Sequence, residues 1–128
     1  IGARRPADLP ALYSAAAIAV VPSVIDRGGD QEGLGLVTIE AMGCGCAVVV
    51  SDLDAIRDVV SDGETGLVTR AGDEASLAAA IVRLLDEPAL RHRLADAARS
   101  HALATFDWQA ATERYERLYD YVKENPSR

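Results

Sequence analysis

The sequence predicts an α/β fold: a small parallel sheet of about three strands, flanking helices and a helical C-terminal tail. Three observations carry this. The short apolar runs "AIAVVPS" (17–23), "CAVVVSD" (46–52) and "GLVTR" (66–70) are continuous rather than alternating, the pattern of strands covered on both faces. Segments with helical spacing separate them, so one strand leads to the next through a crossover that keeps the two parallel. A chain of 128 residues with 49% hydrophobic composition can also bury one core.

Each element has its own local reason. "PADLPALYSAA" (6–16) opens on a helix-start proline and sets Leu9, Leu12, Tyr13 and Ala16 at helical spacing. The first strand follows and closes at Pro22, and "VIDRGGDQ" (24–31) is a polar loop with adjacent glycines. "GLVTIEAMG" (35–43) is the next helix; Val37, Thr38, Ile39, Ala41 and Met42 around Glu40 predict that it is mostly buried. After the second strand come a short amphipathic helix, "LDAIRDVV" (53–60), a turn, "SDGETG" (61–66), and the third strand.

Three helices follow Gly72. The segment 73–87 starts on an Asp73 cap, 88–104 on Pro88, and 108–125 on an Asp107 cap. The last places Tyr115, Leu118, Tyr119 and Val122 in an apolar stripe that calls for a partner surface. Residues 1–128 read as a single partial domain, α/β over 1–72 and helical over 73–128. The sequence opens at "IGARRP" without a methionine, and a sheet of three strands leaves its edges open, so an upstream segment is expected.

A net charge of −7 and a pI near 4.7 argue against a nucleic-acid footprint and against simple docking to an anionic membrane. No apolar run is long enough for a span, and no basic segment precedes an apolar one at the start, so the expected location is cytoplasmic. Membrane association by other means stays open. Cys44 and Cys46 are the two cysteines, and only His92 and His101, in a later helical region, could complete a zinc set of about four ligands. The expectation is two small packing residues in a reducing compartment, with no metal.

The chemistry concentrates in "QEGLGLVTIEAMGCG" (31–45). In an α/β sheet, the loop after a strand and the start of the next helix form the ligand crevice, and the stretch from Ser23 to Leu36 sits there. Gly33 and Gly35 bracket Leu34, so backbone can approach a ligand closely and present the amides of Leu34, Gly35, Leu36 and Val37. With the positive end of the helix dipole, those amides suit a diphosphate. Glu40, about one turn inside the helix, stands beside that anion, where a carboxylate accepts hydrogen bonds from vicinal hydroxyls; Glu32 stands on the loop at the other side. The competing reading makes Glu32 a solvated loop acid and Glu40 a surface residue of an amphipathic helix.

The run from "VVPS" (20–23) through "EGLGLVTIEAMGCG" (32–45) and "DGETGLV" (62–68) resembles the C-terminal donor-binding domain of the group-1 (GT4-like) retaining glycosyltransferases. That family shows a Pro-Ser strand end, an E-x7-E motif, a following apolar strand and a D-G-x-T-G turn; "FDW" (106–108) ahead of the last helix extends the likeness. The resemblance implies a partial Rossmann-like sheet within a GT-B fold and transfer of a sugar, with retention, from a UDP or GDP sugar to an acceptor. It implies Glu32 as the catalytic residue beside the donor sugar, orienting its hydroxyls near the reacting centre, with Gly33, Leu34 and Gly35 against that sugar. Leu36 and Val37 would hold the diphosphate, Glu40 the ribose, and the main chain at Arg5 the nucleobase. It also implies no metal and no cofactor besides the nucleotide-diphosphate sugar as substrate.

The family's acceptor domain and basic diphosphate clamp are not among these residues, so the 128 residues alone are expected to be inactive as a transferase. The terminal helix, which in this fold commonly crosses to the other domain, is expected to pack on a neighbouring chain, as in self-association through it, or to be mobile. Leu34 stands where an aromatic is commoner, and "LDA" (53–55) replaces a Gly-Gly turn. Two other readings remain: a nucleotide-sugar-binding module without catalysis, or another enzyme on this fold. Of the latter, a sugar-nucleotide epimerase fits "EAMGCG" less well, and an α-glucan phosphorylase would need a lysine for pyridoxal phosphate where the sole lysine is Lys123.

Overall fold

The computed structural model describes residues 2–24 and 35–125. Strands β1 (Ile18–Val21), β2 (Ala47–Ser51) and β3 (Leu67–Thr69) form one parallel sheet in the order β1-β2-β3. Ile18 lies beside Ala47, and Val49 beside Leu67. Helix α1 (Leu9–Ala15) precedes β1 after a 3-10 turn at Pro6–Asp8, α2 (Leu36–Gly43) leads into β2, and α3 (Asp54–Arg57) follows it. Beyond β3 come α4 (Glu74–Asp86), α5 (Pro88–Phe106) and α6 (Trp108–Glu124).

The central strand carries the core. All five residues of β2 are buried, and their alternation sends Val48 and Val50 to one face, Ala47 and Val49 to the other. The first face packs with Ala41 and Met42 of α2 and Ile56 of α3; the second packs with Leu67 of β3, Leu84 of α4 and Leu94 of α5. Helix α5 serves both clusters, giving Leu94 and Ala95 to the second and Ala98 and Ala102, farther along, to the first. The helices after β3 are therefore not a detached tail: α4 and α5 close the sheet. Among the described residues, no helix is long and apolar enough to cross a membrane.

Local signals set the helix starts. Asp73 Oδ1 accepts from the Ser76 amide at 3.0 Å and Asp107 Oδ1 from the Gln109 amide at 2.9 Å, each satisfying a donor that the first helical turn leaves without a partner. The turn before β3 is similarly self-contained. Asp62 Oδ1 accepts from the Val68 amide at 2.8 Å, Thr65 Oγ1 from the Ser61 amide at 2.9 Å, and the Gly63 amide donates to the Gly66 carbonyl at 2.8 Å. Gly66 is needed for space: a Cβ there would meet Val48 Cγ2 at 2.7 Å, Val60 Cγ1 at 2.8 Å and the Val48 carbonyl oxygen at 3.1 Å. The D-G-E-T-G spelling thus secures the entry to β3 through side-chain hydrogen bonds and close packing.

Two apolar stripes are covered less than their spacing suggests. No residue of α1 is buried, and Leu12 is exposed. No residue of α6 is buried either, and its Tyr115, Leu118, Tyr119 and Val122 are all exposed. They line an open trough of about 740 Å³ along the helix. An amphipathic period shows that a helix has an apolar side, while the docking surface depends on what the rest of the chain brings to it.

Candidate functional site

Strand β1 runs out at Val21 and the described chain resumes at Gly35, immediately before α2. Glu32, Gly33 and Leu34, three of the predicted site residues, lie outside the described residues. Gly35 is the N-cap, with φ 65° and ψ 40°, a left-handed conformation that an L side chain adopts only under strain. Its carbonyl accepts from the Thr38 and Ile39 amides at 2.9 and 3.2 Å, so those two donors are spent on the helix. The amides of Leu36 and Val37 precede the first helical hydrogen bond and meet no acceptor among the described residues. These are the two amides assigned to a diphosphate from the sequence.

Burial corrects one expectation. Helix α2 is not mostly buried: only Thr38, Ala41 and Met42 are, while Leu36 is 60% and Val37 50% exposed, and Glu40 is exposed as well. An eight-residue helix laid on a sheet buries a single face, however apolar its other side. Leu36, Val37 and Glu40 share the opposite face at spacings of four and three. At the helical rise of 1.5 Å per residue the Glu40 Cα stands about 6 Å along the axis from that of Leu36. The exposed carboxylate thus stands about one turn beyond the helix start, where the two amides without a partner point along the axis toward the N-terminus. Thr38 faces inward, fully buried, and its Oγ1 has no hydrogen-bond partner among the described residues.

Glu40 has one side-chain neighbour of consequence. The Tyr13 hydroxyl, from α1, donates to Glu40 Oε2 at 3.5 Å. Burial, and next the negative charge of Glu40, raise the Tyr13 phenol above its ordinary value, so it is a protonated donor at neutral pH. Sequence reasoning treated Tyr13 only as one apolar position of the first helix. The signal that could have found it is its hydroxyl, which needs a partner once the ring is packed.

Arg5 lies in the exposed approach to α1. Its guanidinium donates to both carboxylate oxygens of Asp8 at 3.2 Å, and its carbonyl accepts the Asp8 amide at 2.9 Å. At the C-terminal ends of the strands, Pro22, Ser51 and Thr69, with Arg70 and Asp73, line a hollow of about 210 Å³. This is smaller than the roughly 300 to 1,000 Å³ of a usual ligand pocket. Cys46 is buried, with its thiol pushed up by burial, and its Sγ lies 3.6 Å from the Ala16 carbonyl oxygen; Cys44 is half-buried. Among the described residues, no three His, Cys, Asp or Glu side chains gather as a metal site.

Residues 1–101 match the family model described as Glycosyl transferases group 1. The chain belongs to that family. Among its group 1 relatives, it is 43% identical over 97 residues to a phosphatidyl-myo-inositol mannosyltransferase of Mycobacterium leprae, covering 76% of this chain and 26% of that protein. It is 39% identical over 112 residues to a D-inositol 3-phosphate glycosyltransferase of Thermomonospora curvata, covering 88% and 24%. The chain therefore spans about a quarter of the length of these curated relatives. Of solved structures, sucrose-phosphate synthase from Thermosynechococcus elongatus superposes with a TM-score of 0.81 at 34% identity, covering 98% of this chain and 30% of that one. Anabaena HepE in complex with UDP superposes with a TM-score of 0.74 at 25% identity, covering 89% and 30%. The parallel three-stranded sheet with flanking helices is thus part of a GT-B glycosyltransferase fold, as the sequence reading has it.

Proposed function

We propose that this chain is the donor-binding part of a retaining glycosyltransferase that moves a sugar from a UDP or GDP sugar to an acceptor. The observation that supports this best is the start of α2: two amides with no acceptor among the described residues, and the exposed Glu40 carboxylate about one turn farther along the helix. The diphosphate sits at the amides, where the helix dipole favours negative charge, and the ribose hydroxyls donate to Glu40. Relatives in the same family are named as mannosyl- and glycosyltransferases, and a solved neighbour holds UDP, which agrees with a nucleoside-diphosphate donor. Glu32 takes the side of the transferred sugar in this reading, with Gly33, Leu34 and Gly35 against that sugar and the Arg5 main chain toward the base. Retention rests on the resemblance to the family, as does a place in polysaccharide or glycolipid assembly, while a cytoplasmic location rests on the apolar patterning of the sequence. No metal or further cofactor is required of the chain's own residues. The 128 residues supply the donor side only, so on their own they bind donor without transferring it.

Calorimetric titration with UDP and GDP, using uridine and guanosine as controls, tests the reading. Diphosphates should bind and the nucleosides hardly at all; equal affinity would remove the diphosphate assignment. Glu40→Ala should weaken UDP and UDP-sugar alike, by about one to two decades if hydrogen bonds to a charged group are worth about 1.5 to 3 kcal/mol. Glu32→Ala should instead lower turnover in the complete enzyme while UDP affinity stays within about threefold. A matched loss of UDP binding in both variants would contradict the division of roles.

A further inference from the structure

We propose that Tyr13 is a positioning residue for Glu40, holding one carboxylate oxygen so that the other faces the ribose of a bound nucleotide. The inference rests on the reading of Glu40 as the ribose acceptor and adds a residue from a different helix to that site. Three features carry it. The Tyr13 ring is half-buried and packed against the first core cluster, which anchors the phenol on the sheet. Its hydroxyl reaches Glu40 Oε2 at 3.5 Å, whereas Oε1 meets no donor among the described residues. Glu40 is otherwise exposed, and a free glutamate side chain loses rotamer entropy whenever a ligand captures it.

A hydroxyl fixed to the core reduces that loss by narrowing the orientations Glu40 samples before the ligand arrives. Because the raised phenol stays protonated, Tyr13 donates and does not compete with the ribose hydroxyls as an anion would. In this proposal the division is Oε2 toward Tyr13 on α1, with Oε1 left for the ribose. Tyr13 itself touches no ligand in this arrangement.

Tyr13→Phe keeps the packed ring and removes only the hydroxyl. UDP and 2′,3′-dideoxy-UDP, which lacks the hydroxyls assigned to Glu40, are titrated into the wild type, Tyr13→Phe, Glu40→Ala and the double variant. Tyr13→Phe should weaken UDP by about two- to tenfold, the range of one net hydrogen bond, and leave the dideoxy nucleotide within about twofold. In the Glu40→Ala background it should cause no further loss, because the group it positions is gone. A purely structural role would weaken both nucleotides equally; that result, an unchanged UDP affinity, or a loss that adds fully to Glu40→Ala would each overturn the proposal. If Glu40→Ala alone left UDP binding intact, the ribose assignment itself would fail and Tyr13 with it, an outcome separable from failure of Tyr13→Phe alone.

Discussion

Gly35→Ala probes whether the start of α2 depends on backbone geometry that only glycine supplies. Gly35 holds φ 65°, and an alanine there carries the left-handed penalty of about 1 to 2 kcal/mol. Its Cβ would also stand 2.7 Å from Ile56 Cδ1, too close to leave unchanged. That atom is the far end of a flexible side chain, so relief by an off-rotamer shift adds about 0.5 to 1.5 kcal/mol. The sum, about 1.5 to 3.5 kcal/mol, corresponds to a Tm drop of roughly 6 to 14 °C for a domain of this size. Urea denaturation of Gly35→Ala, Ile56→Val and the double variant separates the two parts. Ile56→Val alone should cost about 0.5 to 1.5 kcal/mol, and less than that in the Gly35→Ala background, because losing Cδ1 then relieves a clash. The left-handed share should remain in the double variant. A Gly35→Ala protein within about 0.5 kcal/mol of wild type, or full recovery on adding Ile56→Val, would refute the conformational argument.

Other glycines should respond with different signs. Gly66→Ala forces a Cβ against two valines and a carbonyl oxygen and should destabilise by about 1 to 3 kcal/mol, while Gly43→Ala, with open space around it, should stabilise by about 0.4 to 1 kcal/mol; chemical denaturation of both checks the contrast. The Arg57 guanidinium donates to both oxygens of Asp52 at 2.7 and 3.1 Å and holds that carboxyl below the usual range. A depressed folded value stabilises above the unfolded pKa of roughly 3.9 and is lost as pH falls through the folded value, so Arg57→Gln should flatten the acid limb of the stability curve; an unchanged limb counts against the pair. Iodoacetamide should modify half-buried Cys44 before buried Cys46, whose thiol burial pushes up, and mass spectrometry of the partly labelled protein would show the reverse order if this is wrong.

Much of the fold was legible because its signals are local. Continuous apolar runs located β1, β2 and β3, and Asp73 and Asp107 marked helix starts that the structure caps as expected. The glycine at position 35 and the two amides after it were legible for the same reason, since a helix start always leaves its first donors without an internal partner. Glu40 was placed on the right helix but with the wrong surroundings: neighbours in sequence are apolar, yet the face it occupies is open. Tyr13 was passed over because its partner lies 27 residues away and no local spacing connects them.

By itself the sequence determined the order of elements, the parallel sheet and the location of the glycine-acid stretch at a strand-to-helix crossing, since each follows from short-range periodicity, capping and turn chemistry. Only the tertiary structure decided which side of each helix is covered. It brought residues of α5 into the core clusters on both faces of the sheet, left the stripe of α6 open, and turned the side chains of Leu36, Val37 and Glu40 outward together. The physical reason is that periodicity defines a face relative to its own helix axis, whereas burial and cross-helix contacts such as Tyr13 with Glu40 depend on how separate elements are rotated against one another in packing.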